Sequence, residues 1–257
     1  MEHTIPTFTP GPVTKEILQC LRDLSYDEQT LRYNTYTDGI ITGCTLIEEN
    51  MRIGLVNGIV KFAGRLYKLK EKILIPYEPT DALTIMKLRF SPQIPSRDFI
   101  HYKAELVLDT DPTLKPHEME MGRFKLKRGS RLRTTYKDFR DMATEYDTVN
   151  LMYLKQSAPG DTTLSPTITR LFGHEAYPHI KDNALDAAFC TQALASGEAI
   201  NRELIEHYVC NRLSRTYTGK MDNARLHASL GEVLNLITGH TPIDKGRGHG
   251  DGILLLN

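Results

Sequence analysis

The stretch Asp38 to Leu69, DGIITGCTLIEENMRIGLVNGIVKFAGRLYKL, decides the fold of the first half of the chain. Its apolar residues fall in short runs rich in β-branched and aliphatic side chains, broken by Gly39, Gly43, Gly54, Gly58 and Gly64. Ile40 to Leu46, Met51 to Leu55, Ile59 to Phe62 and Arg65 to Leu69 have the length of strands and are too short for helices. The links between them suit hairpins, so the stretch predicts an antiparallel meander. Ala82 to Phe90 and Asp98 to Thr110 extend it, the latter with Tyr102, Ala104, Leu106 and Leu108 alternating against Lys103 and Glu105. In Glu118 to Leu126 the apolar parity switches, from Met119 and Met121 to Phe124 and Leu126, and a bulge at Gly122 reconciles the two registers. Beyond it, Tyr136 to Tyr146 reads as a short helix and Val149 to Leu154 as one more strand.

Upstream, Met1 to Pro12 carries three prolines and a glycine and reads as an extended arm. Val13 to Leu24 predicts a short amphipathic helix with Ile17, Leu18, Leu21 and Leu24 on one face, expected to pack on its own domain rather than on a neighbouring subunit. Downstream of Pro159-Gly160-Asp161 the periodicity becomes helical. Ser165 followed by Pro166 is an N-cap with proline in the first turn, and that helix should stop before Pro178. Asn183 to Ala195, Glu198 to Tyr217 and Asp222 to Ile237 predict three more helices, whose short links favour antiparallel packing into a bundle. Gly239 to Gly252 holds five glycines and a proline ahead of the apolar Ile253-Leu254-Leu255-Leu256. The expected class is therefore α+β: an arm and short helix over 1–37, an antiparallel β-rich domain over 38–160, a C-terminal helical bundle over 161–238, and a flexible glycine-rich tail over 239–257.

The 257 residues include 32 Lys plus Arg and 32 Asp plus Glu, a balance that excludes a globally basic nucleic-acid binder. Apolar residues at 40% suit a packed soluble protein, and no apolar run approaches a membrane span. Cys20, Cys44, Cys190 and Cys210 form no C-x-x-C pair, so neither a zinc framework nor a redox dithiol is indicated. The N-terminus lacks a basic and an apolar leader region, which points to synthesis and retention in the cytosol.

The familiar catalytic motifs fail on this sequence. There is no G-x-S-x-G elbow, no Walker loop and no H-E-x-x-H helix. His174 and His179 are five apart across a proline that breaks any helix aligning them. Asp109, Asp111 and Glu120 match three positions of a calcium loop, but Leu114 stands where glycine is needed. Gly246 to Gly252 lacks the strand and helix of a phosphate loop, and Glu206 and His207 diverge by about 100° around a helix. No catalytic residue, metal ligand, cofactor or small-molecule substrate is assigned.

One charge feature stands out. From Gly122 to Lys137 there are seven basic residues, Arg123, Lys125, Lys127, Arg128, Arg131, Arg133 and Lys137, and no acidic one. On a strand Arg123, Lys125 and Lys127 share one face and Phe124 and Leu126 the other. Such a face suits phosphates through counterion release, or carboxylates on a partner subunit. A neutral chain without stacking aromatics on that face favours protein contact.

Two stretches carry a resemblance. Asp38 to Leu46 followed by Gly58 to Tyr67 resembles a pattern in tail and baseplate proteins of bacteriophages, where a G-I-I-S-G-C strand leads to a G-I-V-x-x-x-G-R-x-Y hairpin. Gly122 to Arg133, with Tyr136, Asp138 and Phe139, looks like segments of proteins in phage-like elements of Gram-positive bacteria. Together the two reach about half the chain. The resemblance implies a non-enzymatic structural subunit of a phage or contractile tail-like particle at the baseplate, assembled in the bacterial cytoplasm. Unlike a tail fibre, this chain turns into a helical bundle instead of repetitive β-structure, which favours an adaptor joining other tail or baseplate subunits in a homo- or hetero-oligomer. Its expected contacts are Arg123, Lys125, Lys127, Arg128, Arg131 and Arg133 and the tail residues Ile253, Leu254, Leu255 and Leu256. The readings left open are a nucleic-acid-binding module on residues 123–137, a hydrolase or metal enzyme converging His174, His179 or His207 with carboxylates, and carbohydrate recognition by tyrosines.

Overall fold

The computed structural model describes residues 13–97, 100–141, 147–195 and 197–239, the side chains of Ser25 and Tyr26 apart. The N-terminal arm, the glycine-rich tail with Ile253 to Leu256, and the end of the helix expected over Tyr136 to Tyr146 lie outside those residues.

The chain opens with helix α1 (Lys15–Arg32), capped by Thr14, whose hydroxyl accepts the Ile17 amide, with Arg32 in the last turn facing the negative end of the helix dipole. Strands follow: β1 (Gly39–Gly43), β2 (Leu46–Glu49), β3 (Arg52–Leu55), β4 (Gly58–Phe62), β5 (Arg65–Leu69), β6 (Ile73–Pro76), β7 (Leu83–Phe90), β8 (Ile94–Pro95), β9 (Ile100–His101), β10 (Ala104–Asp109), β11 (Glu118–Lys125), β12 (Gln156–Ser157) and β13 (Thr162–Thr163). Helices α2 (Pro166–Ala176), α3 (Ala184–Ala195), α4 (Arg202–Arg212) and α5 (Asn223–Thr238) complete the order, with a 3₁₀ turn at Tyr177–His179 after α2. The fold is thus antiparallel-rich sheet in the N-terminal half and helix in the C-terminal part, the expected α+β class.

The expected single meander is instead two interleaved sheets. One has the order β13-β12-β1-β4-β5, the other β2-β3-β6, so the chain leaves the first sheet after β1 and returns at β4. Gly43 and Cys44, both at positive φ, make the departure, and Gly54 lets β3 and β6 pair closely within the second sheet: a Cβ there would sit 1.6 Å from the Ile73 carbonyl oxygen. A third sheet, β10-β7-β11, carries the predicted bulge. Its register shifts between Glu120 and Gly122, where φ is +144°.

Other expectations change. Val149 to Leu154 forms one isolated bridge, Asn150 to Arg123, rather than a strand, and the Asn150 carboxamide turns back to accept the Met152 amide. No helix forms over 136–140. Helix α4 is shorter than Glu198 to Tyr217: the Asn201 side chain caps it at Glu203, and Ser214 at positive φ follows its end. Helix α1 runs eight residues past Leu24.

The Pro159-Gly160-Asp161 break is the turn joining β12 to β13 within the first sheet. Above it Arg202, buried on α4, donates to the Thr162 and Met221 carbonyls and to Asn223. The Thr163 hydroxyl donates to the Ile200 carbonyl. These bonds satisfy buried polar groups and fasten helices to sheet. One buried cluster accordingly runs from Ile40 through Phe124 and Phe172 to Leu234.

Candidate assembly interface

Helix α1 stands apart from that core. Among the described residues no helix or strand makes an extended contact with it, and Leu18, Leu24 and Leu31 are 58%, 57% and 70% exposed. Leu21 also faces solvent, and Ile17 and Cys20 are half-buried. The expectation that this helix packs on its own domain is therefore corrected. It is held at its C-terminal end, where the Lys61 ammonium on β4 donates to the Tyr33 and Tyr36 carbonyls at 2.6 Å each. Tyr33 and Tyr36 meet edge to face beside this clamp. The last turn, through Gln29, Thr30 and Tyr33, borders a cavity of about 1200 Å³ whose lining includes Leu55, Val60, Leu88 and Phe90.

The basic segment lies elsewhere, on β11 and the loop after it. Phe124 and Leu126 are buried, Arg123 and Lys125 half-buried, and Lys127 and Arg128 exposed, which is the expected alternation. What the linear sequence hides is where the matching carboxylates come from. Arg123 grips Glu120 with two bonds of 2.7 and 2.8 Å and lies over the Tyr153 ring, 3.4 Å from its centroid. Arg131 reaches Glu48, 83 positions away, at 2.9 Å. Burial opposes ionisation of Glu48, but Arg131, the Met51 amide and the Tyr77 hydroxyl together hold its carboxyl below the usual range. Arg133 pairs with Asp141 at 3.0 Å, and that guanidinium is the largest influence keeping the Asp141 carboxyl low. At least three of the seven basic residues are thus tied to carboxylates of their own chain. The segment braces loops as well as facing outward at Lys127, Arg128 and Lys137.

The residues weighed for chemistry do not converge. Glu206 is buried and accepts the Tyr217 hydroxyl and the Met221 amide, whereas the adjacent His207 points outward to Glu203 at 3.6 Å. His174 and His179 are both exposed, and among the described residues no group of three or more metal-ligating side chains comes together. The aspartates of the calcium-like loop surround a lysine instead. Lys87, fully buried on β7, donates to Asp109 at 3.1 Å and to the Thr113 carbonyl, with Glu118 at 3.5 Å and Arg89 completing the cluster. The Asp111 amide and then Lys87 depress the Asp109 carboxyl. Glu118 is pushed up by burial, yet the Lys115 amide, Arg89 and Lys87 outweigh that and leave it low. Lys87 among the apolar residues Ile85, Met86 and Leu88 is the sequence signal for this cluster.

Among the described residues no helix is long and apolar enough to cross a membrane. No family model matches the chain, and no curated protein matches it. Among solved structures it is similar to the crystal structure of TssK, at 9% identity and a TM-score of 0.46, over 92% of this chain and 71% of that one. It is also similar to a chain of the type VI secretion system TssK-TssF-TssG baseplate subcomplex, at 10% identity and a TM-score of 0.40, over 94% of this chain and all of the other. Both overlaps are too loose to carry a conclusion.

Proposed function

We propose that the protein is a non-enzymatic structural subunit at the baseplate of a contractile tail-like particle, where it joins neighbouring subunits as an adaptor. The observation that carries this is α1: an 18-residue helix with an exposed apolar face, fastened to the body by its last turn. A helix of that length is marginal in water without packing, and exposed apolar surface of this extent marks a contact site. The baseplate setting is supported by the resemblance of Asp38 to Leu46 and Gly58 to Tyr67. Those two blocks fall on β1, β4 and β5, adjacent strands of one sheet. Lys127 and Arg128 offer a polar contact at the rim, and the tail residues Ile253 to Leu256 a second apolar one.

The mechanism is geometric. Apolar burial along α1 fixes a neighbour, and the Lys61 clamp at its base passes a displacement of the helix into the β1-β4-β5 sheet. The test is to isolate contractile particles from the source bacterium and identify their proteins by mass spectrometry. The chain should be present in fixed ratio to the other baseplate proteins, and its absence from the particles, or a gene neighbourhood without tail genes, would refute the assignment.

A further inference from the structure

We propose that α1 is one strand of a parallel coiled coil formed with a second copy of this chain; this deepens the assembly reading and rests on it for the claim that the α1 face is covered. Ile17, Leu21, Leu24, Glu28 and Leu31 are spaced four, three, four and three apart. That is the alternation of a heptad seam, with Leu21 and Glu28 at a and Ile17, Leu24 and Leu31 at d. At about 100° per residue these positions occupy a stripe only about 80° wide, the narrow seam of a two-helix contact rather than the broad face of a helix lying on a sheet. Over its 18 residues the helix is about 27 Å long, enough for two and a half heptads.

The flanking charges choose the partner and its direction. In a parallel pair each g position faces the e position five residues on in the other strand. Asp27 is at g and Arg32 at e, so each copy's aspartate meets the other copy's arginine, and both side chains are exposed. An antiparallel pair sets e against e and g against g. Fully overlapped, it would put Arg32 beside Leu18 and Asp27 beside Cys20, matching neither. Two identical strands in register therefore satisfy the seam and the flank together. Glu28 is the weak point, because two carboxylates then face each other at an a position, and it limits the affinity.

Sedimentation of the full chain should give a mass of at least two copies of the 29.2 kDa protein at micromolar concentration. The double variant Leu24→Asp with Leu31→Asp should sediment as a monomer whose body still unfolds cooperatively, since among the described residues no helix or strand makes an extended contact with α1. Glu28→Leu should tighten association by about tenfold or more. For direction, Leu31→Cys on a Cys20→Ser background should cross-link to itself under mild oxidation, the other three cysteines being buried. A monomeric wild type at about 100 µM, well above the range expected of a specific complex, would overturn the proposal. So would a dimer indifferent to the aspartates, or cross-linking only when Leu31→Cys is mixed with Ile17→Cys. The two readings fail separately: a monomer recovered in particles removes the coil and leaves the adaptor, and a self-associating chain absent from particles does the reverse.

Discussion

Replacing Lys87 by methionine keeps the bulk of the side chain and removes its charge from a site with 1% exposure. Asp109 and Glu118 lie 3.1 and 3.5 Å from the ammonium, and Glu118 is wholly buried. At an effective dielectric of about 20 each contact is worth about 5 kcal/mol of gross attraction, against several kcal/mol for desolvating the lysine. The difference is small, but the variant leaves a buried carboxylate with one cation fewer, and such half-broken pairs cost about 3–5 kcal/mol. Arg89 stays 2.9 Å from Glu118, so the lower end, about 3 kcal/mol, is expected. That corresponds to a fall of about 6–12 °C in Tm for a chain of this size. The pH dependence has a definite sign. Both carboxyls titrate below their ordinary values in the folded state, so their stabilisation is present at neutral pH and is lost as pH falls below about 4.5 through the folded values. Without Lys87 the Glu118 value rises towards that of the unfolded chain, so the acid loss becomes shallower. Urea unfolding followed by circular dichroism, which suits a chain with no Trp, measures both effects. Adding Glu118→Gln should recover more than about 1 kcal/mol. A loss below about 1 kcal/mol, with an unmoved acid limb, would show that the cluster is not a coupled ionic unit.

Gly122→Ala should destabilise by about 2 kcal/mol or more, because φ is +144° and a Cβ would come within 2.6 Å of the Val149 side chain; thermal melts check it. His227 stacks on Phe139 and donates from Nε2 to its carbonyl, and burial pulls its value below the usual 6.5. Its neutral form is thus favoured by folding, stability declines as pH falls below about 6.5, and His227→Leu should flatten that slope between about pH 6.5 and 5 in denaturant titrations. Burial pushes the Cys44 thiol to about 11 and Cys190 to about 12. A thiol reagent at about pH 8 should therefore label Cys20 quickly and the buried cysteines only on unfolding.

The helices were legible because their ends are local chemistry: Ser165 with Pro166, and Asp222, whose carboxylate accepts the Arg225 amide, announce themselves in the sequence. The Gly122 bulge was legible for the same reason, since a parity switch around a glycine has few explanations. The interleaving of β1, β4 and β5 with β2, β3 and β6 was not, because every link is hairpin-sized and only long-range packing decides which strands pair. Helix α1 looked shorter than it is because Asp27, Glu28, Gln29 and Thr30 interrupt the apolar run, although Leu31 keeps the period. Its exposure reversed the expected packing. The basic segment was found, but its internal carboxylates were not, since Glu48 is 83 residues from Arg131 and nothing local links them.

The most direct test of the account is particle assembly in the source organism carrying Leu24→Asp and Leu31→Asp in place of the wild-type chain. The account predicts a folded, soluble variant and no particles with complete baseplates. Intact contractile particles containing the variant at the wild-type ratio would contradict it.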